Sequence, residues 1–132
     1  MRLAILLAAM MRLSTHGDVR TLAEAIAASD ATWDEATWLA AIAYRESSYR
    51  LRAVGDHGRS LGPFQCQHCS RGVLTDAHLA TRVALHALRA SAALCPSSPL
   101  AAYAGAPCGS AVAGRISRDR DALRRRMFGG AP

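Results

Sequence analysis

The sequence predicts a mainly α-helical protein with one small, irregular β-hairpin. Three observations support this prediction. Long stretches rich in alanine, leucine and arginine carry apolar residues at helical spacing. Glycine and proline are concentrated at 55–72, at 96–109 and at the C-terminal tail. The chain has 132 residues, of which 51% are hydrophobic, so it is long enough for one domain with a buried core.

Two helices are predicted before residue 30. The first covers "LAILLAAMMRL" and ends at His16-Gly17. Its arginine-bearing start and the apolar stretch over 3–9 also fit a minimal export signal, but a small-x-small cleavage site is lacking and Arg12 follows closely. We therefore favour a buried first helix. The second helix covers "DVRTLAEAIAAS". Its apolar face consists of Val19, Leu22, Ala25 and Ile26.

The third helix is predicted over "TWDEATWLAAIAYRE". Thr32 and Glu35 have the spacing of a capping box, in which each side chain bonds the other residue's backbone N–H. The apolar positions that follow at helical spacing are Trp38, Leu39 and Ile42. Because the next residues include many turn formers, this helix is expected to end between Glu46 and Tyr49.

The rest of the chain alternates between turn-rich and helical segments. The segment "RAVGDHGRSLGPFQ" predicts the irregular β-hairpin. A helix capped by Thr75 is predicted over "TDAHLATRVALHALRASAAL", and a short helix from Ser98 to Gly105 over "SSPLAAYAG". The last helix, "ISRDRDALRRRMF", is predicted to point its arginines outward. Its inward residues are Ile116, Leu123 and Met127.

All 16 basic residues are arginine, and the formal net charge is +6. A basic protein attracts polyanions, among them nucleic acid, anionic lipid and an acidic cell wall. The last helix could contact phosphates, but Asp119 and Asp121 interrupt its arginines and only 5% of the chain is aromatic. We therefore expect no nucleic-acid partner. No apolar run approaches roughly 18 residues, so no transmembrane segment is expected either.

Four cysteines fit either two disulfides or a zinc site. The segment "CQHC" supplies one CxxC pair, but Cys95 and Cys108 lie too far apart to form a second compact zinc knuckle. We therefore predict the disulfides Cys95–Cys108 and Cys66–Cys69. The histidines follow no metal-ligand pattern such as HExxH, so no catalytic metal and no other cofactor is expected.

Glu46 stands at the end of an apolar helix, before a segment rich in glycine, serine and arginine. Burial against apolar groups raises the pKa of a carboxyl group, and the negative end of a helix does the same. A carboxylic acid with a raised pKa can protonate a glycosidic oxygen near neutral pH. The apolar wall for it could come from Trp38, Tyr44, Tyr49 and Phe64. The alternative is a surface ion pair of Glu46 with Arg45, Arg50 or Arg52.

Three segments together resemble the lysozyme-like superfamily, in particular its lytic transglycosylase and goose-type lysozyme group. They are Glu46-Ser47, Gly62-Pro63-Phe64-Gln65 and Tyr103-Ala104-Gly105. The sequence of residues 55–65, "GDHGRSLGPFQ", is also similar to the hairpin of invertebrate-type lysozymes. The resemblance implies one α+β lysozyme-like domain over 1–132. In it, N-terminal helices over 1–30 precede a catalytic core over 33–127, with the hairpin beside the active-site cleft.

The resemblance also implies roles for single residues. Glu46 would be the general acid that protonates the oxygen between N-acetylmuramic acid and N-acetylglucosamine in peptidoglycan. In a lytic transglycosylase Glu46 then acts as the base and a 1,6-anhydro product forms, whereas a hydrolase uses a second carboxylate, for which Asp56 is the candidate. The implied substrate-binding residues are Ser47, Ser60, Gly62, Phe64, Gln65 and Tyr103.

Of these two reactions we favour the transglycosylase, acting as a monomer on glycan strands in the cell envelope, either periplasmic or extracellular. The chain departs from the family pattern at Pro63-Phe64, where Leu-Met is usual, and its third segment lacks the usual asparagine. Three alternatives stay open. Asp56 could be a turn former, Tyr103 could be a core residue, and the protein could be a wall-binding module without catalysis.

Overall fold

The computed structural model describes residues 1–129. As predicted, the protein is mainly helical with a small antiparallel sheet. The helices are α1 (Arg2–Met11), α2 (Val19–Ala28), α3 (Trp33–Ser47), α4 (Ala77–Leu94) and α5 (Ala111–Phe128). The strands are β1 (Val54–Gly55), β2 (Ser60–Leu61) and β3 (Cys66–Gln67). A 3₁₀ turn occurs at Arg71–Leu74, and Asp56–Gly58 form a tight turn with positive φ angles.

Helix α3 is the central element of the fold, because it packs against each of the other four helices. Its first turn has the predicted capping box: the Thr32 hydroxyl accepts from the Glu35 backbone N–H at 3.1 Å, and Glu35 accepts from the Thr32 N–H at 2.7 Å. Buried alanines on several sides of α3 allow its neighbours to approach closely. These are Ala36, Ala40, Ala41 and Ala43.

The hydrophobic core surrounds α3. Helix α1 contributes the buried residues Leu6, Ala9 and Met10 to it, as predicted for a buried first helix. Larger core side chains come from all five helices and from the loop before α5. They include Leu6, Met10, Leu22, Ile26, Leu39, Ile42, Leu85, Leu88, Leu100, Leu123 and Met127. No helix in the described part of the chain is long and apolar enough to cross a membrane.

The end of α3 is a sharp reversal of the chain. Ser48 and Tyr49 both have left-handed backbone conformations, with φ of 53° and 65°. Tyr49 is completely buried, and its hydroxyl contacts the Met127 sulfur of α5 at 3.9 Å. Next, the Asp18 carboxylate at the start of α2 accepts from the Leu51 N–H at 2.9 Å. These contacts hold the chain where it leaves α3 to form the sheet.

The predicted hairpin is present, and a third strand extends it. Strands β1 and β2 pair with Val54 opposite Leu61, and β2 pairs with β3 with Leu61 opposite Cys66. The sheet order is β1-β2-β3, with all neighbours antiparallel. The sequence did not indicate β3, because a two-residue strand is too short to show an alternating pattern.

Four predicted boundaries were wrong. Helix α1 ends at Met11, before the expected end at His16-Gly17. Asp76, and not Thr75, caps α4 by accepting from the Leu79 N–H at 3.0 Å. The segment from Ser98 to Gly105 forms successive turns rather than a helix, since so few residues gain too little from cooperative helical bonding. Helix α5 begins at Ala111, earlier than predicted.

Gly62 provides a test of the turn between β2 and β3. Its φ is +81°, and a Cβ there would lie 3.2 Å from the Val73 carbonyl oxygen. Gly58 has a similar φ of +89° but open space around the missing Cβ. We expect Gly58→Ala to lower the free energy of unfolding by about 1 to 2 kcal/mol through backbone strain. Gly62→Ala should cost at least about 1 kcal/mol more because of crowding.

Urea denaturation of both variants and of the wild type measures this difference. Equal losses of stability in the two variants would contradict the packing of Gly62 against Val73.

Candidate active site

An open cleft of about 760 Å³ lies between the sheet, the C-terminal half of α4, the loop before α5, and α5 itself. Its polar lining residues are Glu46, Asp56, Ser60, Gln65, Gln67, Ser91, Tyr103 and Arg120. Its apolar lining comes mainly from Phe64, Val83, Ala84, Ala87, Ala90, Leu94, Ala102 and Ile116. The lining therefore combines charged side chains from α3, α5 and the turn between β1 and β2 with a largely apolar contribution from α4.

Glu46 lies on the last turn of α3 and faces this cleft, with 30% of its side chain exposed. Burial raises the pKa of its carboxyl group above the ordinary 4.5, and the Asp56 charge raises it further. The Arg120 guanidinium lowers the same pKa but does not reverse the shift. Glu46 is thus held closer to its protonated form than an exposed glutamate.

Arg120 of α5 is the ionic partner of Glu46, with 3.4 Å between Nη2 and Oε1. The sequence did not indicate this pair, since all arginines of α5 were expected to point outward. That expectation was wrong for Arg120 and also for Arg124, which packs over the Trp38 ring at 4.7 Å. The spacing could have revealed Arg120, because it follows the inward-facing Ile116 by four residues.

Asp56 lines the cleft from the turn between β1 and β2. Its backbone is left-handed, with φ of 51°, and His57 next to it has φ of 56°. Its carboxylate accepts a hydrogen bond from the buried Ser60 hydroxyl. Backbone strain of this kind costs free energy and is found often at functional sites.

Tyr103 lies in the loop before α5 and lines the same cleft as Glu46. Its hydroxyl donates to the Phe64 carbonyl at 3.4 Å, and its backbone N–H donates to the Ser91 hydroxyl at 3.0 Å. Burial raises the pKa of the Tyr103 hydroxyl, and the Glu46 charge adds to this rise. The tyrosine therefore stays neutral and joins the loop to the sheet side of the cleft.

Ser47, Gly62 and Gln65, which were expected to contact substrate, each have contacts within the fold. The Ser47 hydroxyl donates to the Pro63 carbonyl at 2.8 Å and accepts from the Arg50 N–H at 3.1 Å, and Ser47 does not line the cleft. The side of Gly62 on which a Cβ would stand packs against Val73 rather than facing the cleft. Gln65 lines the cleft, but its amide nitrogen donates to the Gly62 carbonyl at 3.0 Å.

The apolar wall differs from expectation too. Of the four aromatic residues proposed for it, only Phe64 lines the cleft with Glu46. Trp38 and Tyr49 instead pack against residues of α5. The proposed partners Arg45, Arg50 and Arg52 form no ion pair with Glu46 among the described residues, and Arg45 pairs with Asp119 at 3.0 Å.

Both predicted disulfides are present, joining Cys66 to Cys69 and Cys95 to Cys108. The first includes a residue of the cleft lining, Cys66. The second closes the loop that carries Tyr103. With every cysteine in a disulfide, none of the four is a free thiolate that could bind zinc.

Comparisons of the chain with protein-family models, with curated proteins and with solved structures found no match.

Replacing Glu46 should reveal the cost of ionising it. A carboxyl group whose pKa is raised by folding destabilises the folded state as pH rises above its unfolded value of 4.5. We expect Glu46→Gln to raise the melting temperature by a few degrees at pH 7 and to lose that advantage below pH 4.5. Thermal unfolding monitored by circular dichroism across this range measures it.

The control is Glu24→Gln, which removes an exposed glutamate of α2. Surface pairs contribute little to stability, so this variant should change the melting temperature little. A Glu46→Gln protein that is less stable than the wild type at pH 7 would show that the ion pair with Arg120 outweighs burial.

Ser47→Ala should loosen the junction between α3 and the sheet. We expect it to lower the free energy of unfolding by about 1 to 2 kcal/mol, because it leaves the Pro63 carbonyl and the Arg50 N–H without their partner. The neighbouring Ser48 is exposed, so Ser48→Ala is a matched control that should change stability by less than about 0.5 kcal/mol. Equal effects in urea denaturation would argue against this role of Ser47.

Proposed function

We propose that the protein cleaves the β-1,4 bond between N-acetylmuramic acid and N-acetylglucosamine in peptidoglycan, with Glu46 as general acid and base. One observation carries the proposal. Glu46 is a partly buried carboxyl group with a raised pKa at the end of the central helix, and it faces an open cleft lined by polar groups. A glycosidase acid needs this combination of protonation and access.

In the reaction that we favour, the protonated Glu46 gives its proton to the glycosidic oxygen. The bond from that oxygen to C1 of the muramoyl sugar breaks, and the N-acetylglucosamine end leaves as an alcohol. The 6-hydroxyl of the muramoyl sugar then attacks C1 and passes its proton to the Glu46 carboxylate. A 1,6-anhydro sugar forms without water, and Glu46 regains its proton.

A second carboxylate in the cleft supports hydrolysis as the alternative. Asp56 lines the same cleft, and its charge is close enough to raise the pKa of Glu46. An aspartate in that position could activate water or stabilise positive charge at C1. We favour the transglycosylase because Asp56 lies on an exposed turn, with its carboxylate bound to Ser60, and the transglycosylase needs only Glu46.

Two further features fit a site of action in the cell envelope. Both disulfides suit an oxidising compartment, where peptidoglycan also lies. The net charge of +6 favours association with an anionic wall.

The test is a digest of purified peptidoglycan under oxidising conditions, with products separated by mass spectrometry. We expect the wild type to release 1,6-anhydro muropeptides and Glu46→Gln to lose at least about a hundredfold in rate, because the proton donor is gone. Asp56→Asn should keep most of the activity. The exposed Glu24→Gln variant is the control for loss of a glutamate charge.

The alternatives give different products. Reducing ends, together with a large loss in Asp56→Asn, would establish hydrolysis with Asp56 as the second carboxylate. If the wild type leaves the glycan intact but sediments with it, the catalytic proposal fails and the protein is a wall-binding module.

A further inference from the structure

Arg120 is the only basic side chain among the described residues that line the cleft. It lies on α5, and 20% of its side chain is exposed. The proposed reaction does not use it. Its position next to the carboxyl group that would protonate the glycosidic oxygen nevertheless puts a positive charge close to the bond that breaks.

Arg120 has one firmly bound edge and one loosely bound edge. Its Nη1 donates to the Asp119 carboxylate at 2.9 Å. Asp119 is fixed in turn by Arg45 of α3 at 3.0 Å. In contrast, within residues 1–129 the Nη2 atom has only the longer contact of 3.4 Å with Glu46. The guanidinium is thus held in place by Asp119, while its other edge meets the cleft.

The proposed chemistry frees this second edge. Glu46 must be protonated to act as an acid, and a neutral carboxylic acid no longer forms an ion pair with arginine. Arg120 then faces the cleft with one edge that lacks an anionic partner. A guanidinium in this state is well suited to bind a carboxylate of a ligand, since its planar N–H donors match the two carboxylate oxygens.

We infer that Arg120 binds a carboxylate carried by the muramoyl sugar whose glycosidic bond Glu46 cleaves. This inference rests on the proposed function. The muramoyl sugar carries a lactyl ether on the same ring as the scissile C1, and N-acetylglucosamine lacks this group. The carboxylate is the free lactyl group in a strand without peptides, or a carboxylate of the stem peptide where one is attached. Arg120 thereby selects which of the two alternating glycosidic bonds lies at Glu46.

Binding to the Glu46→Gln protein tests this inference without turnover. Three ligands of equal sugar number are compared by isothermal titration calorimetry: glycan strands stripped of peptides, strands with peptides, and chitin oligosaccharides, which carry no carboxylate. Arg120→Gln is added to the Glu46→Gln protein. Arg118→Gln is the matched control, because it removes an exposed arginine of the same helix that does not line the cleft.

We expect the Glu46→Gln protein to bind at least one carboxylate-bearing strand more tightly than chitin oligosaccharides. Arg120→Gln should weaken that binding by roughly tenfold or more, and leave chitin binding nearly unchanged. Arg118→Gln should change neither. Preference for stripped strands identifies the lactyl carboxylate, and preference for peptide-bearing strands alone identifies the stem.

Two results overturn the inference: equal affinity for all three ligands, or an equal loss for all three in Arg120→Gln. If Arg120→Gln does not fold, the ligand is changed instead of the protein. Where stripped strands are the preferred ligand, their lactyl carboxylate is amidated; where peptide-bearing strands are preferred, the stem carboxylates are amidated. Unchanged affinity after amidation contradicts the inference in either case. Failure of the wild type to cleave peptidoglycan is a separate result that removes only the proposed reaction.

Discussion

The hydrogen bond from the Ser47 hydroxyl to the Pro63 carbonyl, at 2.8 Å, connects the end of the central helix to the turn between β2 and β3. Glu46 precedes Ser47 on the last turn of α3. The hydrogen bond therefore fixes the backbone next to the Glu46 carboxyl group relative to the turn that carries Phe64. Phe64 follows Pro63 and accepts a hydrogen bond from the Tyr103 hydroxyl. One short chain of contacts therefore relates α3, the sheet and the loop before α5.

The electrostatics of the cleft depend on that geometry. Burial and the Asp56 charge favour the neutral form of Glu46, while Arg120 favours the ionised form. Burial is the largest of the three influences, and the balance lies on the side of a raised pKa. Asp119 shares the Arg120 charge, which limits how strongly the guanidinium stabilises the Glu46 carboxylate. The helix that carries both Arg120 and Asp119 therefore moderates, but does not set, the protonation of a residue on another helix.

Local patterns predicted the features that depend on neighbours in sequence. The capping box at Thr32 and Glu35, the end of α3 near Glu46 and the disulfide pairing all followed from spacing and residue type. Features that depend on distant partners did not. The hydrogen bonds that Ser47 and Gln65 donate to backbone carbonyls of the sheet region are not revealed by any local pattern. Arg120 was missed because a charged residue on a basic helix suggests a solvated face.

The pKa of the Glu46 carboxyl group in the wild-type protein is the most direct measurement of the central claim. A titration followed by ¹³C NMR, with the signal assigned by comparison with Glu46→Gln, gives this value. We predict a pKa above the ordinary 4.5 for this carboxyl group, with burial outweighing Arg120. A pKa below 4.5 would contradict it, since Glu46 would then be the ionised half of a structural ion pair and not a proton donor.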